Sequence, residues 1–211
     1  MSYKFLAHIE PGKGYTQHAF NVLDTQGIDK YIADHTRPDT SLYESIHTFR
    51  EPKRSAENVE YASSIFIDFD NHWTGYTRQD GTNLIGLLEP HFNVDMPTPR
   101  QVRHSGRGLH FYIALEPSTD IAKYELVARQ TAGVIDRLIG IYAPLTNQLD
   151  ADMGAIGPER IIRVLGSWHP EAGVKTSVIY ESNATYTLDQ LIDNFIPTLT
   201  DVRQGKITAQ A

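Results

Sequence analysis

The sequence predicts an α+β domain, and three stretches carry that prediction. Residues 63–70 read as an apolar β-strand that closes in two aspartates. Residues 101–104 and 109–115 read as the arms of a hairpin, joined through Ser105-Gly106-Arg107-Gly108, where glycine permits positive φ. Residues 119–142 read as a long helix, because Val127, Thr131, Val134, Ile135, Leu138 and Tyr142 fall on one stripe at three- and four-residue spacings. Hairpins mixed with crossover connections favour this class over a regular parallel α/β sheet.

The remaining elements follow in chain order. Residues 4–9 predict a first strand, and residues 15–23 a helix after the Pro11-Gly12 turn. Residues 41–49 predict another strand. Residues 50–62 are polar and contain Pro52, so a loop is expected to lead into the strand at 63. Pro97 and Pro99 end any helix formed over 83–91. A loop is expected at 143–148, then an acidic segment and short strands at 160–165 and 175–181. Thr187 and Gln190 stand in capping-box spacing at the head of a final helix that stops before Pro197. With no repeat and no linker, residues 1–196 predict a single domain and 197–211 a loosely ordered tail.

Composition excludes several classes. Hydrophobic residues make up 40% and charged residues 21%, which rules out disorder and fibres. No stretch reaches the roughly 18 apolar residues of a membrane span, and the first residues lack the apolar core of a secretory signal. A cytoplasmic protein with no membrane partner is therefore expected. The absence of cysteine excludes disulfides, Cys-ligated zinc, iron–sulfur clusters and a thiol nucleophile, so a metal has to be held by oxygen or imidazole. The formal charge of −7 excludes binding nucleic acid through a uniformly basic surface. Phosphate contacts must be local. Arg50, Lys53 and Arg54 form one basic group, and Arg100, Arg103 and Arg107 another, beside His104 and His110; a solvated loop carries such groups too.

The chemistry concentrates in three segments. On a strand, Asp68 and Asp70 project to one side, and Ile65, Ile67 and Phe69 to the other. Paired carboxylates repel unless a cation or shared proton neutralises them, and Mg²⁺ or Mn²⁺ suits two aspartates with open coordination positions. Asp-x-Asp also ends strands simply by capping the next turn. Ser105-Gly106-Arg107-Gly108-Leu109-His110 offers a hydroxyl, loose backbone amides, a guanidinium and an imidazole, a plausible cradle for a triphosphate or a tight turn. The third segment runs from Leu149-Asp150-Ala151-Asp152 to Arg163, Ser167 and His169, and would equally serve as a loop and an edge strand with Trp168 packed on it.

In this order the three segments resemble the catalytic core of the archaeo-eukaryotic primase superfamily, including the primase-polymerases of plasmids, viruses and mobile elements. The strand ending Ile67-Asp68-Phe69-Asp70 resembles its first motif. Gly108, Leu109 and His110 match the second, and Leu149-Asp150 the third. Arg163, Gly166, Ser167 and His169 match a downstream basic residue, turn and Ser-x-His. The resemblance covers residues 63–173. It implies a primase-like core with an RRM-like antiparallel or mixed sheet flanked by helices, and nucleotidyl transfer by two Mg²⁺ or Mn²⁺ ions held by Asp68, Asp70 and Asp150; the missing cysteines add the expectation of no zinc. It implies further that Ser105, Arg107, His110, Arg163, Ser167 and His169 hold the phosphates of an NTP or dNTP. Arg50, Lys53, Arg54, Arg100 and Arg103 would contact a single-stranded DNA template, and a separate helicase or initiator protein would act beside the chain.

The chain departs from the family in three ways. It lacks the cysteines of the zinc knuckle many relatives carry, its 211 residues leave no appended helicase or helical domain to be expected within them, and Pro170 and Glu171 stand where a lysine often follows the last histidine. Asp152 competes with Asp150 for the third carboxylate, and the preceding leucine favours Asp150. A replication initiator or degenerate superfamily member that binds nucleic acid without turnover is the alternative, and uncompensated carboxylates speak against it. A metal-dependent Asp-x-Asp glycosyltransferase would need neither the Ser105–His110 hexapeptide nor the Arg163–His169 segment.

Overall fold

A computed structural model describes residues 1–71, 76–142 and 149–196. The expected loop at 143–148 and the tail from 197 lie outside them.

Strand β1 (Tyr3–Glu10) turns through Gly12 and Gly14, at φ of 74° and 79°, into β2 (Gly14–Asn21). The two pair antiparallel from Tyr3 opposite Asn21 to Glu10 opposite Gly14. The helix expected at 15–23 is thus a strand: the glycine turn returns the chain alongside β1, and ladder hydrogen bonds override local propensity. Helix α1 (Thr25–His35) follows, capped by Asp24, whose carboxylate accepts from Gly27 N at 2.9 Å. None of its residues is fully buried, yet Ile28, Tyr31, Ile32 and His35 recur at three- and four-residue spacings and form a half-buried face that the sequence reading did not single out.

The expected strand at 41–49 divides into β3 (Ser41–Ser45) and β4 (Thr48–Phe49). Strand β5 (Val59–Asn71) begins four residues before position 63, after a 3₁₀ turn at Ala56–Asn58, because Val59 and Ala62 are fully buried. Helix α2 (Arg78–Leu88) starts at a Thr77–Asp80 capping box, earlier than expected. The hairpin forms as read, from β6 (Gln101–His104) and β7 (Gly108–Ser118), and α3 (Ile121–Tyr142) spans the predicted long helix. Then come β8 (Leu149–Ala151), β9 (Ile161–Arg163), β10 (Trp168–His169), β11 (Val174–Lys175), β12 (Ser177–Glu181) and α4 (Leu188–Phe195), the last opened by the Thr187–Gln190 capping box.

The main sheet runs β12-β6-β7-β5-β4-β1-β3-β9, with β2 on β1 and β8 on β5. Every pairing between its named strands is antiparallel. This is an α+β fold in which α2, α3 and α4 cover one face. Ile65, Ile67 and Phe69 of β5 and Leu109, Phe111 and Ile113 of β7 pack beneath Val127 and Ile135 of α3, Leu88 of α2 and Leu191 of α4. Burying each such side chain contributes about 1.5–3 kcal/mol, which fixes which face of β5 points inward. On the other face, Phe66 and Tyr112 meet Ile162 of β9. The sheet therefore curls back over itself, and the cleft it leaves holds the polar side of β5 and β7.

His47 lies in the interior with its ring edge-on to Tyr124, centroids 5.2 Å apart, and burial pushes its pKa down to about 4. Burial lowers His104 and His169 in the same direction. The unfolded chain binds a proton at such a group below about pH 6.5 while the native chain does not, so this stability is complete above that pH and is lost as pH falls towards 4. Urea unfolding is expected to show stability falling between pH 7 and pH 4.5, with His47 contributing at most about 1.4 kcal/mol per pH unit. His47→Gln should flatten the slope; an identical slope in the variant contradicts the assignment.

Candidate active site

Cross-strand register builds the site. Asp68 stands opposite His110, which stands opposite Arg103 on β6; Asp70 stands opposite Gly108 on one side and Asp150 on the other. Directly opposed residues of antiparallel strands point to the same side, so Arg103, His110, Asp68, Asp70 and Asp150 share one face. At Gly108 the strands leave no room for a side chain: a Cβ there would lie 1.9 Å from Phe69 O. His110 Nε2 lies 3.3 Å from Asp68 Oδ1, out of hydrogen-bond alignment. Asp68 Oδ1 and His110 Nδ1 are both buried without a hydrogen-bond partner.

Asp152 is occupied elsewhere. Its carboxylate accepts from Gly154 N at 2.8 Å, capping the 3₁₀ turn Met153–Ile156, and its N–H donates to Asp68 O. Asp150 is exposed and unencumbered by such a cap, at the register position facing Asp70.

A cavity of about 240 Å³ collects Asp68, Asp70, Ser105, His110, Arg163 and His169, with Tyr43, Phe66 and Ile162 among its other walls. Arg163, at the end of β9, is buried; it donates to Trp168 O at 2.9 Å and Tyr43 Oη at 3.2 Å and lies over the Tyr43 ring. His169 sits on the small β10–β11 hairpin, where its Nδ1 accepts from Ala172 N at 3.3 Å, leaving Nε2 to carry the proton. Its pKa is lowered by burial first and by Arg163 and Arg107 next, so the ring is neutral. Ser105 Oγ accepts from Gly108 N at 3.1 Å within the hairpin turn, which leaves its own hydroxyl proton available.

Other residues singled out by sequence fall elsewhere. Arg107 lines a neighbouring, larger cavity of about 500 Å³ with Tyr76, His104 and Lys175, and pairs with Glu171 at 2.5 Å. Ser167 is buried in the turn after β9, where its hydroxyl donates to Val164 O at 2.7 Å. Arg54 ties the β2 hairpin down, donating to Gln17 Oε1 and Glu159 O. Lys53 pairs with Glu57, Arg50 is exposed, and Arg100 donates to Asn183 Oδ1. Arg103 stacks 4.1 Å from the centroid of the Tyr112 ring and donates to its hydroxyl. Sequence reasoning missed Tyr43, which reaches the cavity because β3 pairs with β9 and sets it opposite Arg163. No local signal marks so distant a pairing.

Comparison with known proteins adds the family context. No protein-family model matches the chain. A Clostridium perfringens protein described as "Replication protein" is 28% identical over 199 residues, covering 92% of this chain and 43% of that protein. The chain thus spans under half the length of that relative. The AEP domain of the cyanophage S-2L primase-polymerase superposes with a TM-score of 0.61 at 14% identity, over 92% of this chain and 89% of that one. The fold is that of the archaeo-eukaryotic primase catalytic domain. The catalytic domain of primase RepB', solved in complex with initiator DNA, superposes at 0.56 and 10% identity, over 99% and 92% of the two chains. Within this primase fold the polar cleft between β5, β7 and β9 is the candidate active site.

Gly106 holds its second wall in place. It has φ of 116°, and a Cβ on it would lie 2.8 Å from His169 Cβ and 2.9 Å from His169 Cγ. Gly106→Ala is expected to lower stability by about 1–3 kcal/mol and to shift the His169 ring resonances in NMR spectra. Unmoved His169 resonances in a folded variant contradict the packing described.

Proposed function

We propose that the chain is a template-dependent nucleotidyltransferase, a DNA primase or primase-polymerase that joins NTPs or dNTPs on a single-stranded DNA template in replication or repair priming. One observation carries the reading: the β8–β5–β7 register sets Asp68, Asp70 and Asp150 at neighbouring positions on one face, and two of them, Asp68 and Asp70, line a cavity with buried Arg163 and two imidazoles. The primase fold and the replication-protein relative support it.

The residues fit a divalent ion of the Mg²⁺ or Mn²⁺ type. Their donors are all carboxylate oxygens, the kind such ions prefer, and Asp68 Oδ1 is buried without a hydrogen-bond partner. Two ions held by Asp68, Asp70 and Asp150 would supply activation of a 3′-hydroxyl and neutralisation of pyrophosphate. Side-chain rotation is needed to close the three on an ion: among the described residues, the trio with donor atoms mutually within 4.8 Å is His8, Glu10 and His35.

The chain's own groups position the nucleotide. Arg163, its guanidinium fixed by Trp168 O and Tyr43, offers remaining N–H groups to phosphate oxygens. His169 Nε2–H, the Ser105 hydroxyl and His110 add donors around the same space, and Arg107 approaches from the adjoining cavity. Ser167 acts through the turn that carries His169. Arg103 and Arg100 lie on β6 and just before it, and Arg50 and Lys53 are exposed on a separate loop, so these supply template contacts; Arg54 holds that loop to the β2 hairpin. A helicase or initiator working beside the chain completes the proposal.

Incubation with a single-stranded template, nucleotides and Mn²⁺ or Mg²⁺ is expected to yield labelled oligonucleotides, and Asp68→Ala or Asp70→Ala to reduce them to background. Product at the wild-type rate in either variant overturns the carboxylate assignment. His110→Ala is expected to raise the nucleotide concentration for half-maximal rate about 10- to 100-fold, the value of a charge-assisted hydrogen bond. An unchanged concentration dependence removes His110 from the phosphate site.

A further inference from the structure

Helix α1 is held to the sheet by a face that is only half-buried. None of its eleven residues is buried, although helices in folded domains gain most of their stability by burying one side. It presents rings instead. Tyr31 packs against His8, His18 and Phe20 with centroids 5.3 to 5.6 Å apart, and the imidazoles of His8 and His35 stack at 4.0 Å. Glu10 lies two residues along β1 from His8, on the same face. One ligand atom from each of His8, Glu10 and His35 lies within 4.8 Å of the other two.

The hydrogen bonds around the trio leave the right atoms free. His35 Nδ1 is 2.7 Å from Tyr31 O, an obligate acceptor, so Nδ1 carries the proton and Nε2 keeps its lone pair. His8 Nδ1 is 2.6 Å from Tyr31 Oη, which leaves its Nε2 without that bond as well. Metal-bound histidines are oriented in this way, the second ring nitrogen engaging a carbonyl or another oxygen. Here a single residue, Tyr31, orients both rings.

We propose that His8, Glu10 and His35 bind a divalent transition-metal ion of the Zn²⁺ class, which pins α1 to the β1–β2 hairpin. Two imidazoles and a carboxylate suit Zn²⁺, with a fourth position for water, and disfavour Mg²⁺. In a tetrahedral site with bonds of about 2.1 Å the donors stand about 3.4 Å apart, so the stacked rings of His8 and His35, whose planes differ by 21°, have to turn out of their stack until both point an edge at the ion. Without the ion, Glu10 is held by Lys13 at 2.7 Å and Arg37 at 3.8 Å. The Lys13 side chain is 75% exposed and free to swing into solvent. The expectation of no zinc rested on the missing cysteines; these donors need none. The site is separate from the aspartate cluster and independent of the polymerising role.

The test uses the untagged chain, stripped of metal and titrated with Zn²⁺ by calorimetry in excess Mg²⁺, with Co²⁺ as a visible probe. The wild type is expected to bind one Zn²⁺ per chain, to unfold at a higher temperature when loaded, and to give the absorption of four-coordinate Co²⁺. Glu10→Gln and His35→Gln should each weaken Zn²⁺ binding at least about tenfold, and Tyr31→Phe, which keeps all three ligands, by about tenfold. Asp70→Asn should leave the affinity as in wild type. Failure of the folded wild type to bind Zn²⁺, or wild-type affinity in folded His35→Gln, overturns the proposal. So does loss of binding in Asp70→Asn, which assigns the ion to the carboxylates.

Discussion

At its C-terminal end β5 is paired along both edges, to β7 through Asp68, Phe69 and Asp70 and to β8 through Phe69, Asp70 and Asn71. Opposed residues in such ladders have Cα atoms about 4.5–5.5 Å apart, so the pairing alone brings Asp150 beside Asp70 and His110 beside Asp68. A slip of one residue would turn both aspartates into the core and Ile65, Ile67 and Phe69 out of it. Three apolar side chains, each stabilised by about 1.5–3 kcal/mol on burial, oppose that slip. The packing of one face thereby sets the chemistry of the other.

The register has an electrostatic consequence. Three carboxylates side by side repel one another, in a chain already at −7. Cations stand close by: Arg103 shares the face, and Arg163 reaches over from β9. Arg163 is held by Trp168 O and Tyr43 with N–H groups to spare, and Arg103 by Tyr112 and Gln101. Charge of both signs is thus held apart across a small cavity, an arrangement suited to a nucleotide whose phosphates bridge metal and guanidinium. The curl of the sheet makes this possible by setting β9 over β5 and β7.

Sequence made the aspartate-bearing side of the fold legible where strong local patterns exist. Alternation along residues 63–70, glycines at 106 and 108, and the apolar stripe of the long helix each encode their own element, and the structure reproduces all three. Elements without such a pattern were hidden. β2 pairs through an edge whose side chains are half exposed and displays no clear period, and α1 has a helical period in Ile28, Tyr31, Ile32 and His35 that is short and only half-buried, so it went unread. The cavity's far wall was equally invisible, because Tyr43 meets Arg163 across more than a hundred residues of chain through the β3–β9 ladder. Asp152 competes with Asp150 for the third carboxylate in sequence, where the preceding leucine favours Asp150, and its cap on Gly154 adds a structural reason for the same choice.

Where divalent ions sit is the question on which the catalytic reading turns. Anomalous diffraction from crystals soaked with Mn²⁺ and a nucleoside triphosphate answers it directly. Mn²⁺ peaks bonded to carboxylate oxygens of Asp68, Asp70 and Asp150, with the triphosphate lying towards Arg163 and His169, are the predicted result. Mn²⁺ bound only elsewhere, or a triphosphate seated away from the cleft between β5, β7 and β9, would contradict it.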